Sequence, residues 1–331
     1  MERFALAAAV VLGFALTAAL CSLFVPLRRV LERREQNQQP AQSEQPRPAP
    51  LRAPLWGGLC AAAGTVAAVG VGWLAACVGQ PELLGSEGRL MTRLLTALAG
   101  SLAFGAVGLA EDLARMRSPA ALGLRRDVRL LLEALAAAFV LLLLRAAGCL
   151  PRGLDVPGAG YVLLGSAVPF LWAVLMVALA ECARIAERDE GTVCGAAFVA
   201  MLALMMAEAG LGVPGLAVLP AALAGALVAL LLWAFPPARL GAGCCGSLLA
   251  AGAIGCIPLS LDMTSLTVPL ALPFWAAGGL LAAQLLCAKR TGKPLRCWVK
   301  KHKMSPETVF LCSFALSAVG YVLALALLRW C

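Results

Sequence analysis

The chain has 331 residues and a formal net charge of +9, and 61% of its residues are hydrophobic whereas only 14% are charged. An ordinary soluble domain is roughly 25% charged, so this composition excludes a soluble globular protein, a disordered chain and a fibrous protein. The apolar residues are concentrated in blocks of about 18–24 residues, the length at which a helix crosses the hydrocarbon core of a bilayer. We therefore expect an all-α, polytopic integral membrane protein, because helices satisfy their backbone groups without water.

Ten such blocks follow one another along the chain and are predicted to form a single transmembrane domain over 1–331. The blocks between residues 160 and 261 are short or interrupted by Gly and Pro, so their ends are the least defined. The segment 28–54 is rich in Gln and Pro and is predicted to be a flexible cytoplasmic linker. The predicted spans are 4–27, 55–78, 91–110, 130–149, 160–180, 192–208, 215–235, 246–261, 266–288 and 307–328.

Basic residues predict how these spans are oriented. Of the 27 Lys and Arg residues, 21 lie in loops that follow odd-numbered spans, four lie in loops that follow even-numbered spans or at the span ends beside them, and two lie in the tails. Loops rich in Lys and Arg stay in the cytoplasm, so both termini are predicted to be extracytoplasmic. The positive charge is thus a topology signal, and no nucleic-acid partner is expected, because no basic loop contains interleaved aromatic residues.

Acidic residues gather at the predicted cytoplasmic ends of the third, fourth and fifth spans. Charge at the edge of a span is costly, so these residues are candidates for function. Carboxylates interleaved with Arg184 and Arg188 could hold a phosphate and its divalent cation, and a solvated, salt-paired loop is the alternative. The acidic residues concerned are Glu111, Asp112, Asp127, Glu133, Glu181, Glu187, Asp189 and Glu190.

Small residues occur at other notable positions. Gly57-Gly58 opens the second span and Gly246-Ser247 opens the eighth, where each pair could let the backbone approach a ligand or let two helices pack closely in lipid. Thirteen cysteines occur in the chain, mostly in or beside the apolar spans and without a CxxC pattern. We interpret them as small hydrophobic residues.

Several short motifs appear in a fixed order. They are Pro54-Leu55-Trp56-Gly57-Gly58, Gly108-Leu109-Ala110-Glu111-Asp112, Gly123-Leu124 followed by Arg129-Leu130-Leu131-Leu132-Glu133, Glu181-x-x-Arg184-x-x-Glu187-Arg188, Phe235-Pro236-Pro237-Ala238, Gly243-Cys244-Cys245-Gly246-Ser247-Leu248 and Pro294-Leu295-Arg296-Cys297-Trp298. In this order and at these gaps, they resemble the motifs of the polyprenyl-phosphate sugar-1-phosphate transferases (glycosyltransferase family 4). Within that family, the resemblance is to the phospho-N-acetylmuramoyl-pentapeptide transferases.

The resemblance implies a bacterial cell-membrane protein that works with a UDP-sugar, a polyprenyl-phosphate lipid and Mg²⁺. It assigns Glu111 and Asp112 to the catalytic acidic pair and Glu187 to the metal. It also assigns substrate-binding positions to Glu181, Arg184, Gly57 and Gly58. Membrane lipids complete the expected partners, and a homodimer is left open.

The departures from the family pattern are concentrated in its polar residues. Glu181 and Arg184 stand where the family has two asparagines, and Cys244 stands where it has a metal-binding aspartate. A thiol is a soft ligand and a poor partner for Mg²⁺. The three histidines of the family correspond to Arg296, Cys297 and Trp298. These changes indicate a conserved fold whose site has been rebuilt or abandoned.

Two function classes follow from this pattern. One is a transferase of cell-envelope lipid intermediates with reduced or altered activity, and the other is a catalytically inactive homologue that binds a lipid, a nucleotide or a protein partner. A transporter is a more distant third, because a path would need polar residues within the spans, and the sixth to ninth spans contain few.

Overall fold

The structure is a computed structural model of the chain, and it consists of α-helices with one small β-hairpin. It describes residues 2–38, 56–79, 88–117, 123–151, 153–156, 160–163, 165, 167–187, 191–213, 215–236, 238–291 and 306–328. The helices are α1 Glu2–Gln38, α2 Gly57–Gly79, α3 Gly88–Arg117, α4 Arg126–Ala146, α5 Ala167–Ala186, α6 Thr192–Gly210, α7 Val218–Ala234, α8 Gly243–Ser260, α9 Thr267–Leu270, α10 Leu272–Thr291 and α11 Pro306–Leu328. A 3₁₀ turn at Thr264–Leu266 precedes α9.

The predicted all-α, polytopic membrane fold is confirmed. Within the described residues, seven helices are long and apolar enough to cross a membrane, and the count is eight if the pair Thr264–Leu270 and Leu272–Ala283, bent by 62°, is one span. Each of the ten predicted spans overlaps a helix. Helix α4 is less apolar than the other spans, because it includes Arg129, Glu133 and Arg145. Helix α7 is shorter than the other spans, with only 17 residues. The number of ten spans and the side of the termini remain predictions.

Two segments differ from the expectation. Helix α1 continues to Gln38, so residues 28–38 of the predicted linker are helical, and 39–54 lie outside the described residues. The fifth helix begins at 167 and not at 160, because Gly153–Val156 (β1) pairs antiparallel with Gly160–Leu163 (β2). Gly160 and Gly165 have φ angles of +73° and +58°, a left-handed conformation that interrupts a helix.

Helix α8 forms the centre of the molecule, and all of its residues are buried. Its sequence consists mainly of Gly, Ala, Cys, Leu and Ile, and such small residues let helices approach closely in lipid. Helix α3 approaches it closely, since a Cβ on Gly108 would lie 2.2 Å from the carbonyl oxygen of Cys244. Helices α3, α4, α5 and α8 contact one another in a closed ring, α3 with α4, α4 with α5, α5 with α8, and α8 with α3. One end of this ring carries the charged residues.

Candidate functional site

The acidic pair lies near the end of α3, with each residue only 2% exposed. Asp112 accepts two backbone hydrogen bonds from the first turn of α8. Its Oδ1 lies 3.1 Å from the amide nitrogen of Cys244, and its Oδ2 lies 2.9 Å from that of Cys245. The first amides of a helix have no partner within the helix, and a carboxylate there is also favoured by the helix dipole. Asp112 therefore caps α8 from a different helix.

Glu187 reaches the same helix end from the residue that follows α5. Its Oε1 accepts a hydrogen bond of 2.8 Å from the amide of Gly243, the residue that opens α8 with a φ of +68°. The N-terminus of α8 thus binds two carboxylates of its own chain. Both carboxylates are positions to which the resemblance assigned catalysis or metal binding.

Glu111, the other member of the pair, faces two guanidinium groups. Arg115 Nη2 donates to its Oε1 at 2.6 Å, and Arg129 Nη1 lies 3.6 Å from the same oxygen. Arg115 Nη1 is also 3.9 Å from Asp112 Oδ1. The acidic pair is therefore neutralised by arginines of α3 and α4.

Arg129 connects three helices through its guanidinium. Its Nε donates to Glu181 Oε1 of α5 at 2.8 Å and lies 4.0 Å from Glu133 Oε1 of α4. Arg184 Nη2 donates to the other oxygen of Glu181 at 2.5 Å. We use the name carboxylate–arginine cluster for Glu111, Asp112, Arg115, Arg129, Glu133, Glu181 and Arg184.

A few polar atoms of the cluster are buried without a hydrogen bond. They are Glu111 Oε2, both carboxylate oxygens of Glu133 and Arg184 Nε. Glu133 is completely buried, and a buried carboxylate that lacks hydrogen bonds is costly. Glu133 thus takes no part in the hydrogen bonds of the cluster, although it lies 4.0 Å from Arg129.

The two predicted substrate-binding glycines lie against the first turn of α8 and the residues that lead into it. A Cβ on Gly57 would lie 2.5 Å from the carbonyl oxygen of Gly241, and one on Gly58 would lie 2.1 Å from the amide nitrogen of Gly246. This contact is close helix packing, the second of the two interpretations given above. A role of these glycines in substrate binding stays a prediction.

Cys244 is fully buried in the first turn of α8. Its amide binds Asp112, and its carbonyl oxygen accepts a hydrogen bond of 3.1 Å from Ser247 Oγ. The first turn of α8 thus forms with the thiol of Cys244 at the position where the family has an aspartate. Other residues named in the sequence analysis lie outside the described residues, namely Arg188, Asp189, Glu190, Arg296, Cys297 and Trp298.

The sequence interpretation collected the acids of this site but missed how the arginines pair with them. Arg115 follows Glu111 by four residues, and Glu133 follows Arg129 by four. Side chains at this spacing share one face of a helix. The four-residue spacing was therefore the sequence signal for the pairs Arg115–Glu111 and Arg129–Glu133. The pair between Arg129 and Glu181 joins different helices, so no local pattern reveals it.

Comparison with known proteins identifies the family. A sequence profile described as glycosyl transferase family 4 matches residues 94–262, slightly more than half of the 331 residues. The chain belongs to glycosyl transferase family 4. The matched region contains α4, α5 and α8 and most of α3, the ring that carries the carboxylate–arginine cluster.

Three curated members of the family illustrate the likeness, and each is named phospho-N-acetylmuramoyl-pentapeptide-transferase. The protein of Desulforudis audaxviator is 32% identical over 170 residues, which is 48% of this chain and 50% of that protein. The protein of Mycobacterium tuberculosis H37Rv is 27% identical over 265 residues, 72% of each chain. The protein of Synechococcus sp. RCC307 is 30% identical over 212 residues, 63% of this chain and 55% of that protein. The match thus spans about half the length of two of these relatives.

The donor groups around the acidic pair do not fit the Mg²⁺ ion that the family implies. Mg²⁺ requires hard oxygen ligands in near-octahedral geometry. Both oxygens of Asp112 and one of Glu187 bind backbone amides, and position 244 offers sulfur. Among the described residues, no three His, Cys, Asp or Glu side chains are placed to hold a metal ion together. The nearby guanidinium groups would also repel a divalent cation.

Proposed function

We propose that this chain is a non-catalytic member of glycosyl transferase family 4 that acts in cell-envelope synthesis of a bacterial cell membrane by binding, and not by transfer of a sugar phosphate. One observation carries the proposal. The acids at the transferase positions are engaged by arginines and backbone amides of the same chain. A substrate phosphate and its cation would have to displace these contacts.

The charge balance of the site supports the same conclusion. The three guanidinium groups of the cluster already pair with carboxylates of the same chain. A UDP-sugar and a polyprenyl phosphate are both anionic, and the family's reaction brings them together by neutralising their charge. Guanidinium groups that are already paired are not available to neutralise either reactant.

A radiolabelled transfer assay tests this proposal. Purified protein is mixed with UDP-N-acetylmuramoyl-pentapeptide and undecaprenyl phosphate in the presence of Mg²⁺ or Mn²⁺, and the lipid product is extracted. We expect no more product than with the Asp112→Asn variant of the same chain, whereas the mycobacterial relative serves as the positive control. Turnover close to that of the relative would overturn the proposal.

A transferase of reduced activity is the second candidate. Glu111 and Asp112 stand at the family's aspartate pair, and Glu111 Oε2 has no hydrogen-bond partner. Slow transfer that requires a divalent cation and disappears in Asp112→Asn would favour this candidate. The dependence on Asp112 separates it from background hydrolysis of the nucleotide.

A further inference from the structure

Helices α1 and α2 pack closely and run antiparallel in a constant register. A Cβ on Gly72 would lie 3.0 Å from the Cβ of Ala9, and one on Gly64 would lie 3.3 Å from the Cβ of Thr17. A step forward along α1 therefore corresponds to an equal step back along α2. Because one member of each pair is glycine, the two backbones come close together along this interface.

The next turn of the same interface carries two cysteines. Cys21 follows Thr17 by four residues in α1, and Cys60 precedes Gly64 by four residues in α2, so the register places them opposite each other. Their thiols are hydrogen-bonded to each other. A disulfide requires Cβ atoms about 3.5–4.5 Å apart, and helices this close can meet that requirement. The two sulfurs are therefore placed to form a bond without a large movement of either helix.

Both thiols are shielded from the surroundings of the protein. Cys21 is completely buried and Cys60 is 1% exposed, and both are free thiols. They belong to an apolar cluster that includes Leu230 of α7. Bulky or charged reagents are excluded from such a place, whereas a small uncharged molecule can enter it. Hydrogen peroxide is small and uncharged, and thiols react with it to form sulfenic acids and disulfides.

We propose that Cys21 and Cys60 are a disulfide-forming pair that hydrogen peroxide oxidises, and that the bond locks α1 to α2 beside the first turn of α8. One thiol loses its proton and attacks an oxygen of the peroxide, which gives a sulfenic acid and one water. The other sulfur then attacks the sulfenic sulfur, the S–S bond forms and a second water leaves. Two thiols thus lose two electrons and two protons, and the peroxide is reduced to water.

The position of the bond connects it to the charged end of the helix ring. Cys60 lies two residues after Gly58, which packs against Gly246 in the first turn of α8. Asp112 binds backbone amides of the same turn. A covalent link from α1 to α2 would restrain this packing and restrict the unfolded chain between residues 21 and 60. Cells keep cytoplasmic thiols reduced, so the lock is expected only under oxidising conditions, whether or not the chain transfers a sugar phosphate.

Tryptic peptide mapping of the full chain tests the proposal. Trypsin separates the two residues, because Cys21 is the only cysteine in fragment 4–28, whereas Cys60 lies in fragment 53–89 together with Cys77. Reduced, purified protein in detergent is treated with hydrogen peroxide, and the remaining thiols are blocked with N-ethylmaleimide. The digest is then analysed by mass spectrometry without reduction. A sample unfolded in SDS before oxidation shows which disulfides form without the native packing.

Peroxide should join fragments 4–28 and 53–89 in the wild type and in the matched control Cys77→Ala, and the joined fragments should be absent from Cys60→Ala. Cys194→Ala removes a third thiol of the same apolar cluster and should leave the cross-link intact. Oxidised wild type should unfold roughly 5 °C above the reduced protein. Dithiothreitol should abolish this difference.

Several outcomes would overturn the inference. They are a folded wild type without the cross-link, a bond from fragment 4–28 to Cys194, a cross-link that persists in Cys60→Ala, and equal yields from folded and SDS-unfolded chains. A cross-linked protein no more stable than the reduced one would also contradict the lock. If Cys60→Ala does not fold, Cys77→Ala decides, because Cys60 is then the only cysteine left in its fragment. Transfer activity of the wild type would refute the proposed function alone.

Discussion

The two oxygens of Asp112 each hold a backbone amide of α8, so this residue joins α3 to α8. Asp112→Asn keeps the size of the side chain but turns an NH₂ group toward one of these amides. We expect the free energy of unfolding to fall by about 1–3 kcal/mol, since a buried amide loses its acceptor. Thermal or denaturant unfolding of the purified protein measures this loss. Asp127→Asn, at an exposed position in α4, should cost less than about 1 kcal/mol, and equal effects of the two changes would contradict the capping role.

Cys244 allows the missing metal ligand to be restored. Cys244→Asp places a carboxylate in the turn whose backbone amides bind Asp112 and Glu187. We expect a lower unfolding temperature without divalent cations, because a further buried negative charge would share Arg115 with Glu111 and Asp112. Mg²⁺ should recover part of the loss, because a hard oxygen donor now stands in the turn.

The control for this change is Cys245→Ser, which leaves the charge of the turn unaltered. It should show no response to Mg²⁺, and neither should the wild type. A Cys244→Asp protein that is destabilised but gains nothing from Mg²⁺ would show that the surrounding carboxylates are no longer available to a metal ion.

The sequence located the acids of the site because charge at the end of an apolar block is conspicuous. Glu111, Asp112, Glu181 and Glu187 do lie together in the structure. Their partners were not predicted, because contacts such as those between Arg129 and Glu181 depend on how separate helices pack. The catalytic, substrate-binding and metal roles of these residues stay predictions, since geometry alone does not assign them.

Close packing between α2 and α8 is the clearest constraint among the helices. Gly58 of α2 leaves no room for a side chain, since a Cβ there would lie 2.1 Å from the amide nitrogen of Gly246. Gly58→Ala must therefore push the backbone of one helix away from the other. We expect a loss of about 1–3 kcal/mol in the free energy of unfolding, typical of an overpacked interior.

Gly70 in the same helix provides a matched control. A Cβ on Gly70 would meet nothing within 4 Å, so Gly70→Ala changes only helix propensity and should be neutral or stabilising by up to about 1 kcal/mol. Unfolding of both variants in mixed micelles measures the difference. A Gly58→Ala protein as stable as Gly70→Ala would show that α2 and α8 are farther apart than the structure places them.

At this scale, the sequence predicts where helices occur better than where they end. Apolar blocks are long and nearly free of charge, so each of the ten overlaps a helix, although the ninth is divided between α9 and α10. The predicted start of α5 was wrong because the block from 160 contains Tyr161 and Val162, apolar residues that occur in strands as well as in helices. Only the positive φ angles of Gly160 and Gly165 decide between the two, and composition does not reveal them.

Across the whole molecule, the residues that pack the helices differ from those that the family's chemistry requires. The ring of α3, α4, α5 and α8 lies almost entirely within the region that matches glycosyl transferase family 4, and its glycines keep the helices close. The charged end of that ring is closed by internal ion pairs. Packing in lipid depends on small residues, whereas transfer depends on oxygen ligands and open positions. The small packing residues can therefore persist in a chain whose oxygen ligands have changed.

The orientation of the chain in the membrane can be tested directly by labelling its loops. Of the basic residues outside the tails, 21 follow odd-numbered spans and four follow even-numbered spans. This split predicts that segments 28–54 and 289–306 face the cytoplasm, the side on which the protein would encounter a UDP-sugar. A cysteine introduced at Gln38 or Lys300 should react with a membrane-impermeant maleimide only after cells are permeabilised, with the parent chain labelled in parallel. A cysteine at Ser86, in the loop after the second span, should react on intact cells. Labelling of Gln38→Cys and Lys300→Cys from outside, with Ser86→Cys protected, would reverse the orientation and place the carboxylate–arginine cluster on the side away from nucleotide substrates.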